Sequence, residues 1–149
     1  MVSTYDPIAS LNEQIKGIEV AMLTTVYPDS TLHSCPMVAQ SAGADGVMWF
    51  LTGSNTDKVE AIHTSQRMNL AFSDPVGQRY ISVSGYCELI RDHVKSKELW
   101  KPEYKSWLPG GLDDPNLILL KVNVQQAEYW DASLGGMVEL RGFANSALG

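Results

Sequence analysis

The chain has 149 residues, of which 44% are hydrophobic and 19% are charged, a balance typical of one folded domain rather than a disordered chain. Its 17 acidic and 11 basic side chains leave a formal charge of −6. An acidic chain without a cluster of Lys or Arg is unsuited to nonspecific binding of DNA or RNA, which depends on contacts with phosphates.

The sequence gives no sign of export, membrane insertion or metal binding. No apolar run approaches the roughly 20 residues that span a bilayer, and Met1–Ile8 lacks the basic and apolar regions of a signal peptide. Cys35 and Cys87 fit no CxxC pattern, so we expect two reduced thiols in a cytoplasmic protein. The spacing of the three histidines matches no zinc motif, so no metal site is expected.

The first third of the chain predicts one helix followed by strands. Asp6 can cap that helix, Pro7 suits its first position and Gly17 suits its end. Beyond Gly17 the hydrophobic period becomes that of strands separated by turn residues. The predicted strands are Glu19–Val26, Thr31–Gln40 and Val47–Thr52.

The remainder of the chain predicts two more helices and the rest of a sheet. Gly85, in the middle of an alternating strand, indicates a bulge or a sharp bend. Antiparallel hairpins with few helices predict a mainly β barrel in a single domain that covers residues 1–149. The predicted helices are Asn55 or Thr56 to about Ser65 and His93–Trp100, and the predicted strands are Arg67–Ser73, Tyr80–Ile90 and Leu117–Val124. Ala127–Trp130 either continues the last strand or forms another. The segments without a clear period are an aromatic-rich connection Lys101–Asn116 and a weakly patterned tail Ala132–Gly149.

A candidate phosphate site lies where a buried strand gives way to a small polar loop and a helix start. Free amides of the helix, hydroxyls of Thr52, Ser54 and Thr56, and the ammonium of Lys58 would suit an anion. The spacing is not that of a Walker A loop. Taken alone, the local pattern favours the alternative, an ordinary capped helix with a solvated lysine.

Two other features leave the choice between structure and function open. Pro36 interrupts a predicted strand, which places that strand at a sheet edge or a bulge and frees backbone groups for a planar ligand. The alternative there is a plain edge strand with a bend. The aromatic side chains of Tyr129, Trp130, Trp100 and Trp107 fit the core or an interface better than a ligand site on local grounds.

From about Ile18 to Asp131 the chain resembles the pyridoxamine 5′-phosphate oxidase-like superfamily, and within it the general stress protein 26 group. The resemblance implies an FMN-binding split barrel of six antiparallel strands in a Greek key, a homodimer, and a flavin in each of two clefts between the subunits. It rests on the order and spacing of eight stretches, which are Ala21–Thr25, Leu32–Met37, Trp49–Thr52 with Lys58 and Val59 beyond, Tyr80–Gly85, Leu99–Pro102, Trp107–Gly111, Asp113–Pro115 and Glu128–Asp131.

The resemblance also implies which residues contact the flavin. Leu51, Thr52 and Lys58 are expected near the ribityl and phosphate groups. Tyr80 falls where the oxidases carry a glutamine that contacts the ring, and Trp130 falls where they carry an aromatic that packs on the flavin from the same or the partner subunit. The residues expected beside the ring, largely through backbone atoms, are Ser34, Cys35, Pro36 and Met37.

One departure from the family pattern concerns Cys35, because many members carry an arginine there. Lys58, with Arg67 or Arg79, would then have to neutralise the phosphate. The Arg, His and Ser set that true oxidases use for pyridoxamine phosphate is not found in this chain. The resemblance therefore implies an FMN-dependent oxidoreductase, with FAD as an alternative cofactor and no catalytic residue assigned. The alternative functions are a non-catalytic flavin-binding stress-response protein, a ligand-free dimeric scaffold and, more distantly, a haem-handling relative.

Overall fold

An antiparallel sheet of seven strands forms the centre of the protein in the computed structural model, which describes residues 5–143. Three α-helices and two short 3-10 turns flank the sheet. The strands are β1 Val20–Val26, β2 Leu32–Val38, β3 Val47–Gly53, β4 Arg67–Asp74, β5 Arg79–Ile90, β6 Leu117–Asp131 and β7 Gly136–Glu139. The helices are α1 Pro7–Ile15, α2 Asp57–Thr64 and α3 His93–Leu99, and the 3-10 turns are Pro102–Ser106 and Gly111–Asp113.

The strand order is β2-β1-β4-β5-β6-β3, and β7 pairs with the distal half of β6. Strands β2 and β3 are the two ends of this order, and residues of both line one groove, so the sheet curls until its ends approach each other. The predicted mainly β barrel with flanking helices is confirmed. The six predicted strands form the continuous order of the sheet, and part of the weakly patterned tail adds the short seventh strand β7.

The predicted helix start and end of α1 are confirmed. The Asp6 Oδ1 atom accepts a hydrogen bond from the Ile8 amide at 2.9 Å, and Gly17 has a left-handed φ of 81° beyond the helix end. Arg79, at the start of β5, donates to the Gln14 carbonyl at 2.9 Å and to the Lys16 carbonyl at 2.6 Å. These bonds satisfy carbonyls at the helix end and hold α1 against the β4–β5 hairpin.

The long strands β5 and β6 bend where Gly85 was predicted to mark a bulge. Their pairing register shifts between Ser84 and Gly85, which confirms that prediction. A Cβ at Gly85 would lie 2.0 Å from the Asn123 carbonyl oxygen, so only glycine permits this close approach of the two backbones. Ala127–Trp130 continues β6 rather than forming another strand.

The two faces of the sheet differ sharply in burial. The inner face forms the core, in which Phe50, Phe72 and Leu23 are each at most 1% exposed. The opposite face of β1, β4 and β5, here called the outer face, carries small and polar side chains at its centre together with Met22, which is 41% exposed. None of the helices in residues 5–143 is long and apolar enough to cross a membrane.

Candidate functional site

A groove, here called the central groove, lies between the two ends of the sheet and has a volume of about 100 Å³. Strands β2 and β3 form two of its walls, α2 contributes Lys58, and the connection between α3 and β6 closes it. Its lining residues are Pro36, Met37, Val38, Gln40, Leu51, Thr52, Lys58, Tyr104, Trp107 and Leu108. Five residues predicted from the resemblance, on three separate elements, are thus brought together.

Lys58 is the charged side chain of the central groove. It forms none of the ion pairs found within residues 5–143, so its positive charge is not neutralised by a carboxylate within 4.0 Å there. Thr52, which also lines the groove, is 4% exposed. Six of the ten lining side chains are apolar, and an ammonium group without a carboxylate partner in such a groove attracts an anionic group.

A second depression, here called the upper groove, adjoins the first at Lys58 and has a volume of about 190 Å³. Its lining residues are Thr25, Tyr27, His33, Ser34, Cys35, Thr56, Asp57 and Lys58. The predicted residues Ser34 and Cys35 therefore lie here rather than in the central groove. The carboxylate of Asp57 makes the upper groove less favourable to an anion than the central groove.

The side chains of β2 alternate between the two faces of the sheet. Ser34 points to the outer face, where its hydroxyl lies 2.6 Å from the hydroxyl of Thr24, whereas Cys35 is opposite the buried Leu23. Among the strands of residues 5–143, β2 pairs only with β1, so its other edge presents backbone groups to the grooves. Pro36 is compatible with this position because an edge strand tolerates the missing amide, as predicted.

The start of α2 differs in detail from the predicted phosphate site. Thr56 is the N-cap residue, but its hydroxyl donates to the Gly53 carbonyl at 2.9 Å and leaves the first amides of the helix without a side-chain cap. Ser54, predicted to contribute a hydroxyl, does not line the central groove but a separate depression that it shares with His63. Thr52 and Lys58 are the two members of that predicted set that line the central groove.

Both cysteines are free thiols, and burial raises the pKa of each. Burial has the larger effect on the pKa of Cys35, and the nearby charge of Lys58 opposes it. For Cys87, burial and the neighbouring carboxylate of Glu88 raise the pKa to about 12. Both thiols are therefore protonated at neutral pH, and Cys35 offers no negative charge that would repel an anionic ligand.

Five lining residues of the central groove were not predicted as site residues: Val38, Gln40, Tyr104, Trp107 and Leu108. The Gln40 amide donates to the Tyr104 hydroxyl, and burial raises the pKa of that tyrosine. The aromatic-rich connection was the available signal, but nothing in its spacing indicates that it packs against the edge of β2. Local grounds assigned Trp107 to the core or an interface, whereas it lines the groove and is 48% exposed.

Tyr80 and Trp130 lie away from the central groove, on the outer face. Tyr80 pairs with Ser73 at the end of β4, two residues beyond Ala71, which pairs with Met22. Trp130 follows Tyr129, the partner of Ile81, so Tyr80 and Trp130 lie next to each other across β5 and β6. Within one subunit the structure does not bring these two aromatics to the groove, and their predicted contact with the flavin stays a prediction.

Solved structures with this architecture include a protein related to general stress protein 26 from Clostridium acetobutylicum. That match has a TM-score of 0.76 and 19% identity, and it covers 91% of this chain and 95% of that one. A general stress FMN/FAD binding protein from Xanthomonas citri matches with a TM-score of 0.68 and 28% identity, covering 93% of this chain and 99% of that one. These matches confirm the split-barrel fold.

A curated relative is Protein bli-3 of Neurospora crassa, which is 24% identical over 108 residues. The match covers 66% of this chain and 51% of that protein, so the chain spans about half the length of this relative. Residues 6–149 match the family model described as "Pyridoxamine 5'-phosphate oxidase like". The chain therefore belongs to the pyridoxamine 5′-phosphate oxidase-like family, with general stress protein 26 relatives among its structural neighbours.

Proposed function

We propose that the protein binds FMN in the central groove and acts as a flavin-dependent oxidoreductase. The observation that carries this proposal is the position of Lys58, an unpaired cation beside Thr52 at the junction of a buried strand and a helix start. The Xanthomonas citri relative, described as an FMN/FAD binding protein, supports a flavin ligand. We favour FMN over FAD because Lys58 suits a terminal phosphate.

The residues of the central groove fit the chemical parts of FMN. Lys58 and the Thr52 hydroxyl suit the phosphate and the ribityl hydroxyls. The edge of β2 at Pro36 and Met37, opposite Leu51, provides a largely apolar strip with backbone groups for a planar ring. When bound, FMN supplies two-electron redox chemistry, and this chain would orient the ring and control access to it.

The small volume of the groove supports a site that two subunits complete. About 100 Å³ is well below the roughly 300–1,000 Å³ of ordinary small-molecule pockets, so one subunit encloses only part of a flavin. We therefore propose a homodimer in which the second copy forms the remaining wall.

The outer face of the sheet is the proposed dimer contact. Its central positions on β1, β4 and β5 carry no charged side chain, although 19% of the residues of the chain are charged. Depletion of charge is the compositional mark of an interface core. The residues of this uncharged face are Met22, Thr24, Asn69, Ala71, Ser82 and Ser84.

The dimer also accounts for the two predicted aromatics that lie away from the groove. Tyr80 and Trp130 adjoin the uncharged face and are half-buried, so they face a second copy packed there. We propose that they reach the flavin of that second copy. The free thiols Cys35 and Cys87 support a reducing compartment, and we place the protein in the cytoplasm.

The test starts from the absorbance spectrum of the purified protein and the mass of any ligand released on denaturation. We expect a flavin spectrum and FMN, or binding of added FMN by the apoprotein. Lys58→Ala should weaken FMN binding by about 10- to 100-fold, since a charge-assisted hydrogen bond contributes about 1.5–3 kcal/mol. Lys97→Ala, an exposed lysine on α3, is the matched control and should bind FMN like the wild type.

Rapid reaction with NADH or NADPH separates an oxidoreductase from a non-catalytic flavin-binding protein. Reduction of bound flavin faster than that of free FMN supports the enzyme, whereas equal rates support a binding role. A colourless protein that does not bind added FMN would favour a ligand-free scaffold. A Soret band in the absorbance spectrum would favour a haem-binding protein.

A further inference from the structure

A larger cleft, here called the outer cleft, lies on the other side of Trp107 from the central groove. It has a volume of about 420 Å³ and lies between the paired ends of β1 and β2, at Val20 and Val38, and residues 101–107. This volume is within the range of about 300–1,000 Å³ that small-molecule sites occupy. A single subunit can therefore accommodate a small ligand here, which the central groove alone cannot.

The outer cleft and the central groove share a wall. Val38, Tyr104 and Trp107 line both of them. A ligand in the outer cleft and a ligand in the central groove would therefore contact opposite sides of this shared wall. Tyr104 is 3% exposed and bonded to Gln40, so the wall is anchored at that point, whereas Trp107 is 48% exposed.

Trp107 presents an aromatic surface that the described residues leave uncovered. Within residues 5–143, the ring pairs and cation–π contacts involve Trp49 and Trp100 but not Trp107. The indole of tryptophan is the aromatic side chain that attracts cations most strongly, through the negative potential of its ring face. Val20, Val38 and Ala39 add an apolar floor beside it.

The charged side chains at the rim of the outer cleft carry more negative than positive charge. Glu19 and Glu103 contribute carboxylates and Lys101 contributes one ammonium group. None of the three takes part in an ion pair within the part of the chain that the structure describes. The rim therefore favours a ligand with a positive charge, and Lys101 suits a hydrogen-bond acceptor on that ligand.

We infer that the outer cleft binds a planar aromatic cation that stacks on Trp107, with its charge towards Glu19 and Glu103. This inference rests on the proposed flavin function for one point only, that the cation is a second substrate or effector of the flavin site. Binding of the cation itself does not require flavin.

The probe for the test is 1-methylquinolinium, added to the full-length protein with and without FMN. The indole N–H signals of the four tryptophans are followed by nitrogen-labelled NMR and assigned through Trp107→Phe and Trp49→Phe. We expect the Trp107 signal to shift and saturate. Trp107→Leu should weaken binding by at least about tenfold, while Trp107→Phe keeps most of it because the ring face remains.

Charge selectivity is tested with 2-naphthoate, a planar ring system of similar size and opposite charge. It should bind at least about threefold more weakly than 1-methylquinolinium, and Glu19→Gln with Glu103→Gln should reduce that difference. The matched control is Trp49→Phe, because the Trp49 ring contacts Lys95 and Lys121 instead of the outer cleft. It should leave the affinity for 1-methylquinolinium unchanged.

The inference is overturned if Trp107→Leu binds the probe as tightly as the wild type, if 2-naphthoate binds as tightly as the cation, or if no Trp107 shift occurs. Failure of FMN binding with a retained Trp107 shift would contradict the proposed function alone. Normal FMN binding without a Trp107 shift would contradict this inference alone.

Discussion

Lys58 and Cys35 border the same groove, and the lysine charge lowers the pKa of the cysteine thiol against the larger, raising effect of burial. Removing that charge with Lys58→Ala should raise the pKa of Cys35 further and reduce the fraction of thiolate. We expect alkylation of Cys35 by iodoacetamide at pH 8 to slow by about 2- to 5-fold in the apoprotein. Mass spectrometry of timed samples measures the rate.

Two internal comparisons make the thiol experiment decisive. Cys87 is fully buried and its pKa is raised to about 12, so it should remain unlabelled until the protein is unfolded. Lys97→Ala should leave the rate at Cys35 unchanged, and in every variant the rate should rise with pH as the thiolate forms. Equal alkylation rates of Cys35 in Lys58→Ala and the wild type would mean that the lysine charge does not change the pKa of the thiol.

Substituting Cys35 with arginine, the residue that the family resemblance implies at this position, should tighten flavin binding. Cys35→Arg places a second cation beside Lys58, where the proposed phosphate lies. A charge-assisted hydrogen bond of about 1.5–3 kcal/mol corresponds to about a 10- to 100-fold gain in affinity, less the repulsion between the two cations. Calorimetric titration with FMN measures this change.

Cys35→Met is the control for that substitution, because it enlarges the side chain without adding charge. It should bind FMN no more tightly than the wild type. An arginine variant that folds normally and binds FMN with unchanged affinity would mean that the phosphate does not lie within reach of Cys35 and Lys58.

Local sequence rules predicted the parts of this fold that depend on neighbouring residues. Pro36 predicted that its strand lies at a sheet edge or a bulge, and β2 lies at one end of the strand order. Gly85 predicted a bulge, and the pairing register shifts there. The tail strand β7 was missed because a strand of four residues has too few side chains to show a period, and its stability comes from pairing with β6.

The candidate site was only partly predictable, for a physical reason. Thr52 and Lys58 belong to one strand–loop–helix unit, so the sequence places them together. Trp107 reaches the groove through a tertiary contact between the connection and β2, which no local pattern encodes. Tyr80 and Trp130 came from the family resemblance, and the role proposed for them requires a second subunit, which the sequence of one chain does not specify.

A charge in the middle of the uncharged outer face should break the proposed homodimer. Ala71 lies between Met22 and Ser82 in the sheet, and its side chain is exposed in the single subunit. Ala71→Arg should therefore shift the protein to a monomer, measured by light scattering after size-exclusion chromatography, because an interface core excludes unpaired charge. FMN affinity should fall with it, since one subunit encloses only part of the ligand.

The control is Val76→Arg in the β4–β5 turn, where the side chain is 97% exposed. That variant should keep both the oligomeric state and the FMN affinity of the wild type. A wild-type protein that is monomeric at all concentrations would contradict the dimer before any variant is made.

The ion pair of Asp74 and Arg79 should make stability depend on pH in the acid range. Arg79 Nη2 lies 2.8 Å from Asp74 Oδ2, and the hydrogen bond from Arg79 is the main cause of the lowered pKa of Asp74. A lowered folded-state pKa stabilises the protein above the unfolded pKa of about 3.9, and this contribution is lost as the pH falls towards the folded value.

Asp74→Asn tests that dependence. Its deficit in the free energy of unfolding, measured with urea, should be largest near pH 7 and should shrink as the pH is lowered below about 4. Glu13→Gln, on the exposed side of α1, is the control and should follow the wild type. A deficit for Asp74→Asn that stays constant over this range would show that charge on Asp74 contributes nothing.

Gly85 should be the least replaceable glycine of the sheet. In Gly85→Ala the added Cβ would lie 2.0 Å from the Asn123 carbonyl oxygen, and a backbone atom cannot move aside as a flexible side chain can. Relief requires β5 and β6 to separate at the bulge, which we expect to cost about 1–3 kcal/mol of stability or more. Gly136→Ala, in β7 with nothing within 4 Å of its added Cβ, is the matched control and should change stability by no more than about 0.5 kcal/mol. Urea unfolding of both variants measures the difference, and equal stabilities would mean that β5 and β6 do not approach each other this closely in solution.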